Sequence, residues 1–195
     1  MGTLEKEVLL LISRVRCITE LQIYKYLGYK NISRRNIRKT LKKMCNDYTL
    51  KKYPINCLCY ECKDNSYVYY LNGNKVYKGN DLIKAIIGTE INIRLSIAGY
   101  KINRFYRNIK LDQDTFDIYI EYLDYNLIPN QLVIDVDFNN FNTLKYYDLD
   151  EKIKKCSIPF FDVPKVLIVS DKKDYEDFYD INVIDFNLTK LFRYI

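Results

Sequence analysis

Between Leu4 and Leu71 the apolar residues change their period once, from the spacing of helices to the spacing of strands. Residues 4–15, LEKEVLLLISRV, predict a first helix, with glutamates early and Arg14 late to suit the helix dipole. Thr19 predicts the cap of a second helix over TELQIYKYLG. Glu20 opens it, Leu21, Ile23, Tyr24 and Leu27 fill one face, and Gly28 closes it. Ser33 caps a third, along which Ile37, Leu41 and Met44 fall at i, i+4 and i+7 as a single apolar stripe. Then YTLKKYPINCLCYEC reads as a strand, and after the turn-forming KDNS the segment YVYYL can pair back with it.

Three helices followed by a hairpin is the order of a winged helix-turn-helix, here over residues 1–79. The other reading of the same pattern is a small helical bundle with a lysine-rich exterior. Local charge density favours the first. From Lys30 to Tyr53 there are nine basic residues, and only Asp47 opposes them. A face serving solubility alone intersperses acids, because like charges four apart destabilise a helix. In this fold the helix after the turn enters the major groove and its first residues meet base edges. Arg34, Arg35 and Arg38 are therefore the expected base readers. Lys42, Lys43, Lys51 and Lys52 are the expected phosphate contacts, and Ser33 and Lys39 complete the surface offered to double-stranded DNA.

Charge divides the chain further. Residues 1–111 hold 22 Lys and Arg against 8 Asp and Glu, and residues 112–195 hold 9 against 17. The basic part predicts a polyanionic partner, since neutralised phosphates release counterions and dominate affinity. Histidine is absent, which excludes Ser-His-Asp and Cys-His sites and any histidine-bearing zinc or iron site, and with them a histidine-dependent relaxase. None of the six glycines forms a phosphate-cradling GxxxxGK or GxGxxG loop. The longest aliphatic run, Val8 to Ile12, cannot span a bilayer, and MGTLEKEV has neither a signal pattern nor the residue that N-myristoylation needs. The expected location is the cytoplasm, without a membrane partner, and the six cysteines are read as thiols.

Cys57, Cys59 and Cys62 in CLCYEC offer three zinc ligands, to which Cys45 could be added. Structural zinc sites typically pair two separated CxxC or CxxH units, however, and Cys57 and Cys59 alternate onto one face of a strand, where cysteine packs as a small apolar residue. The expectation is no metal and no cofactor.

From residue 80 the character changes. NDLIKAIIGTEINIRLSIAGY predicts a long amphipathic helix, interrupted at Gly88 and ended at Gly99. Short strands follow in INRFYRNIKL, FDIYIEYL and QLVIDVDF. After them come a helix from Thr143 to Cys156, the apolar strand KVLIVSD, a short helix near KKDYEDFY, the strand INVIDF and a last helical turn. The order predicts an α+β chain in which residues 80–195 form a mixed sheet flanked by helices.

These pieces together resemble the replication-relaxation family of plasmid and mobile-element proteins. The resemblance rests on LLLISRVRCITELQIYKYLG, the basic helix, YVYYLN, LIKAIIGTEINIRLSIAGY and the FDIYI, QLVIDVDF and KVLIVSD series, and covers nearly the whole chain. It implies an N-terminal winged helix joined to a domain similar to PD-(D/E)xK nucleases, serving replication, relaxation or transfer of an element. In such nucleases two acids on neighbouring strands hold magnesium and a lysine two positions after the second helps place the water. Mapped here, Asp117 stands for the first acid, with Phe116 where the motif has proline. Asp135 stands for the second, and Asp137 occupies the lysine position. The resemblance thus implies a sequence-directed DNA-binding protein of a plasmid, phage or integrated element acting in replication control, partition or transfer. Its second domain would be a silent descendant of a nuclease serving a homodimer or a protein partner. The alternative is a magnesium-dependent endonuclease using Asp117, Asp135 and Asp137, and a third reading is a scaffold with no DNA role.

Overall fold

A computed structural model of the chain describes residues 2–55, 66–138, 143–171 and 181–195. It is mixed α+β, with one three-stranded and one five-stranded sheet, and divides into two units, Met1–Ile97 and Ala98–Ile195.

In the first unit, helix α1 (Thr3–Val15) buries Val8, Leu11, Ile12 and Val15, and stops where Arg16 turns left-handed at φ 66° and returns its N–H to the Ile12 carbonyl at 2.7 Å. Strand β1 (Ile18–Thr19) runs straight into helix α2 (Glu20–Tyr29). The Thr19 hydroxyl accepts from the Gln22 N–H and the Gln22 amide oxygen accepts from the Thr19 N–H, both at 3.1 Å. This reciprocal box satisfies two of the orphan donors that every helix start leaves behind. Gly28 does not close α2. The helix runs one residue past it, and the left-handed residue is Asn31 at φ 60°, a conformation that asparagine tolerates better than most. Helix α3 (Arg34–Asn46) is capped by Ser33, whose hydroxyl accepts from the Asn36 N–H at 3.3 Å, and it buries Ile37, Leu41 and Met44. Strands β2 (Leu50–Ile55) and β3 (Ser66–Leu71) pair antiparallel from Leu50↔Leu71 to Ile55↔Ser66, and β1 joins the far side of β3 in the order β1-β3-β2.

Helix α4 (Gly79–Ile97) corrects the expected boundary at residues 79 and 80, because it belongs to the first unit. The reason is a buried polar lock. The Thr89 hydroxyl donates to the Cys17 carbonyl at 2.7 Å. Glu90, only 2% exposed, accepts from Lys25, from Arg94 at 2.9 Å and from the Gln22 amide at 3.3 Å. That same amide also donates to the Ile86 carbonyl at 2.9 Å. Ile86, Thr89, Glu90 and Ile93 lie at i, i+3, i+4 and i+7, one face of the helix. The helix passes Gly88 without interruption and gives way before Gly99, which adopts φ 95°.

The second unit is the five-stranded sheet β4 (Lys101–Leu111), β5 (Asp114–Leu123), β6 (Pro129–Val136), β7 (Lys165–Val169) and β8 (Ile181–Ile184), in that spatial order. The first three strands are antiparallel and β6, β7 and β8 parallel, so the mixed sheet expected from the strand order is present. One core cluster of this unit gathers Leu111, Phe116, Tyr119, Val133, Val166 and Ile168 with Leu149, and Ile153 and Tyr146 pack against it. The helix expected from Thr143 to Cys156 is broken. A 3-10 turn over Thr143–Tyr146 is separated from α5 (Leu149–Lys154) by Asp148 at φ 54°. A final 3-10 turn covers Leu191–Arg193. The helix expected near KKDYEDFY lies outside the described residues.

Dividing the chain at residue 97 also reassigns charge. The first unit holds 18 Lys and Arg against 8 Asp and Glu, and the second 13 against 17. Lys101, Arg104, Arg107 and Lys110, counted with the basic part on sequence, sit on β4 at the edge of the second sheet. Charges there discourage edge-to-edge pairing, which accounts for them without a polyanion.

Candidate functional site

Helix α3 presents two opposite faces because its cationic and apolar residues keep out of phase. Ile37, Leu41 and Met44 point into the core, and Arg35, Arg38, Lys39 and Lys42 occupy i, i+3, i+4 and i+7 on the solvent side, all exposed. The Ser33 cap fixes where that face begins. Among the described residues Arg35, Lys39 and Lys42 form no ion pair, so their charge is available to a ligand. Arg34 leans over the Tyr24 ring, with its guanidinium 5.7 Å from the centroid.

Two of the expected phosphate contacts are placed otherwise than the sequence suggested. Lys43 turns to α1 and pairs with Glu5, which joins the start of the first helix to the end of the third. Lys51 and Lys52 are neighbours on β2 and so point to opposite faces of the strand. Lys52 pairs across with Tyr69, stacks its ammonium 4.4 Å from the Tyr67 ring and shares a groove with α3. Lys51, opposite Tyr70, is exposed on the other side.

That groove holds about 450 Å³ and is lined by Glu20, Arg38, Lys42, Lys52, Tyr67 and Tyr69, with Leu41, Cys45 and Asn46. Sequence reading did not anticipate the polar cluster on its floor. The Tyr24 hydroxyl donates to Glu20, the Tyr69 hydroxyl donates to the same carboxylate at 3.3 Å, and Arg38 Nε donates to the Tyr24 oxygen at 3.3 Å. Burial, reinforced by the Glu20 carboxylate, pushes the pKa of Tyr24 up, and burial does the same to Tyr69. Both stay phenols at any physiological pH. The Tyr24 contact in turn raises the pKa of Arg38. The signal available in the sequence was only Glu20 and Tyr24 at i and i+4 on the second helix.

Cys45 is half-buried in the groove wall, where burial raises its thiol pKa and leaves it protonated. Cys57, Cys59 and Cys62 lie outside the described residues.

In the second unit the mapped carboxylates form a clasp. Strands β5 and β6 pair regularly as far as Ile118↔Ile134, and one residue further the ladder stops. There the Asp117 N–H donates to Asp135 Oδ1 at 3.0 Å, and the Val136 N–H donates to Asp117 Oδ2 at 2.8 Å. Each side chain takes over a backbone donor that the diverging strands leave unpaired. Asp135 is 5% exposed, and its second oxygen receives the Tyr146 hydroxyl at 2.6 Å and the Lys145 ammonium at 2.5 Å. The mapped motif has Asp137 where a lysine would stand, but the 3-10 turn brings a lysine, Lys145, to Asp135 from ten residues away. Asp137 pairs through its backbone with the Val169 carbonyl at 3.0 Å. Among the described residues no three carboxylates or thiols gather as a set that could hold a metal ion, so Asp117, Asp135 and Asp137 are not assembled as magnesium ligands.

Among the described residues no helix is long and apolar enough to cross a membrane. No family model, curated protein or solved structure matches the chain.

Proposed function

We propose that the first unit is a winged helix-turn-helix that binds double-stranded DNA in a sequence-directed way, with α3 in the major groove and the β2–β3 pair beside the backbone. The observation that carries this reading is the exposed face Arg35, Arg38, Lys39 and Lys42, which lies opposite the buried stripe of a capped helix and meets Lys52 across a groove. The element order α1, β1, α2, α3, β2, β3 with strand order β1-β3-β2 supports it, because that arrangement leaves the third helix free on one side. From the resemblance to the replication-relaxation family we take the setting: replication control, partition or transfer of a plasmid, phage or integrated element.

The second unit is on this reading a nuclease-like domain without catalysis, serving a homodimer or a protein partner. Both oxygens of Asp135 are engaged by protein donors, which supports a structural role for the acid. The magnesium-dependent endonuclease keeps one observation in its favour, a lysine beside the mapped second acid. In that case Asp117, Asp135 and Asp137 would hold the metal, which would supply charge relief at a phosphate, and Lys145 would have to release Asp135.

The decisive experiment is titration of the full chain against labelled duplex DNA at several salt concentrations. A log–log salt slope equivalent to roughly three to six phosphate contacts is expected. A slope near zero, or no binding at low salt, refutes the reading.

A further inference from the structure

An acid on a surface offered to a polyanion weakens binding, yet Glu20 lines the groove beside the cations of α3. Its geometry supplies a reason. Both carboxylate oxygens are engaged, one by the Tyr24 hydroxyl and one by the Tyr69 hydroxyl at 3.3 Å. A phenol has one proton to give. With that proton committed to Glu20, the Tyr24 oxygen can only accept, and Arg38 Nε donates to it at 3.3 Å while also lying 3.9 Å from Glu20.

Arg38 is thereby held by its inner nitrogen. Its side chain is 77% exposed, and among the described residues its two terminal nitrogens make no hydrogen bond. Two parallel donors presented this way match the O6 and N7 acceptors of guanine in the major groove. An arginine anchored at Nε also loses less rotamer freedom on docking than a free one.

Building on the DNA-binding reading, we infer that Glu20, acting through Tyr24 and together with Tyr69, positions Arg38 to read a guanine. Glu20 and Tyr24 are positioning residues and Arg38 is the reader. The acid accordingly trades some general affinity for discrimination at one base pair.

The test uses the full chain and its Tyr24→Phe, Glu20→Gln and Arg38→Ala variants, each selecting from a pool of random-sequence duplexes, with base preference read position by position. The wild type should enrich guanine at one position by roughly tenfold, and all three variants should reduce that to about twofold or less. On unselected duplex, Tyr24→Phe should keep the wild-type salt slope, because the substitution removes no charge from the face. Glu20→Gln should bind more tightly, because a negative charge has left the face. Uniform weakening on every sequence would mean that the cluster merely supports the fold and would overturn the inference. Unchanged guanine preference in Tyr24→Phe and Glu20→Gln would overturn it too, while leaving DNA binding intact. Failure of the wild type to bind any duplex would instead remove the DNA reading itself. Should Tyr24→Phe lose its far-UV circular dichroism, Glu20→Gln, which keeps shape and one acceptor oxygen, decides alone.

Discussion

Replacing Glu90 with alanine should unfold the first unit well before the second. The side chain is 2% exposed and takes charge-assisted hydrogen bonds from Lys25 and from Arg94 at 2.9 Å. Such bonds contribute about 1.5–3 kcal/mol each when removed. Lys25 is 39% exposed and can turn to water, so its share is discounted. Arg94 is 20% exposed and loses its i, i+4 carboxylate close to the core, where that ion pair is less screened by water. Gln22 loses little, because its amide keeps the Ile86 carbonyl. The sum is about 3 kcal/mol, a large part of the roughly 5–15 kcal/mol that holds an ordinary domain together. In a unit of this size it corresponds to a fall in midpoint of roughly 12–24 °C.

Thermal and urea unfolding of the full chain, followed by circular dichroism, measures this, and Glu90→Gln separates charge from shape. Protonation supplies an independent check. Burial alone would raise the Glu90 pKa, but the bonds from Lys25 and Arg94 outweigh it and hold the carboxyl below its ordinary value. A depressed folded-state pKa contributes stability above the unfolded value and loses it as pH falls through the folded one. Glu90→Gln should therefore be less stable than wild type at neutral pH and converge with it in acid. A loss below 1 kcal/mol, or an equal gap at all pH values, would refute the lock.

A fragment of residues 1–97 should fold, whereas one ending at residue 80 should not. The shorter piece gives up the burial of Ile86 and Ile93, worth about 3–6 kcal/mol, as well as the Glu90 lock, and amide dispersion in NMR spectra of the two fragments decides. Lys52→Ala should weaken binding to all duplexes and lower the salt slope by about one, while Lys43→Ala, already paired with Glu5, and Lys51→Ala, on the other face of β2, should change it less; fluorescence anisotropy against salt reads all three. Asp135→Ala should cost the second unit about 3 kcal/mol by removing the shared acceptor of Lys145, the Tyr146 hydroxyl and the Asp117 N–H, and should leave the fate of supercoiled DNA in millimolar Mg²⁺ unchanged from wild type, with plasmid intact in both by gel assay; cleavage that vanishes in the variant would promote the endonuclease.

What was legible in the sequence follows the range of each interaction. Caps at Thr19 and Ser33 act over three residues, and both lie where the local pattern puts them. Strands β4 to β8 were legible because each carries its own apolar run, within a few residues at either end. Assigning α4 to its unit was not, because the decision rests on Gln22, Lys25 and Glu90, more than sixty residues apart in the chain. A helix apolar on most of its surface is compatible with either neighbour until its polar contacts are known. The break at Asp148 was hidden for a related reason. Leu149 and Ile153 keep helical spacing, and only a left-handed residue, which asparagine and aspartate disguise well, interrupts them.

The candidate site divides along the same line. The cationic face of α3 is periodic and was readable, but the partners that sort its members are not. Arg38 is distinguished from Arg35 by Tyr24 and Glu20, and Lys43 from Lys42 by Glu5, all on other helices. In the second unit, spacing alone sets Asp117 and Asp135 on neighbouring strands, which suits two quite different roles. Metal ligands must converge on one point with free oxygens, whereas these two carboxylates each turn to a backbone N–H of the opposing strand. Where an antiparallel pair splays beside a parallel one, as β5 leaves β6 and β6 continues along β7, donors on the splayed side need acceptors. Aspartate is short enough to reach back and serve. A pair of acids at such a fork is therefore explained by the fork itself, and a catalytic role for them requires an observation beyond their spacing.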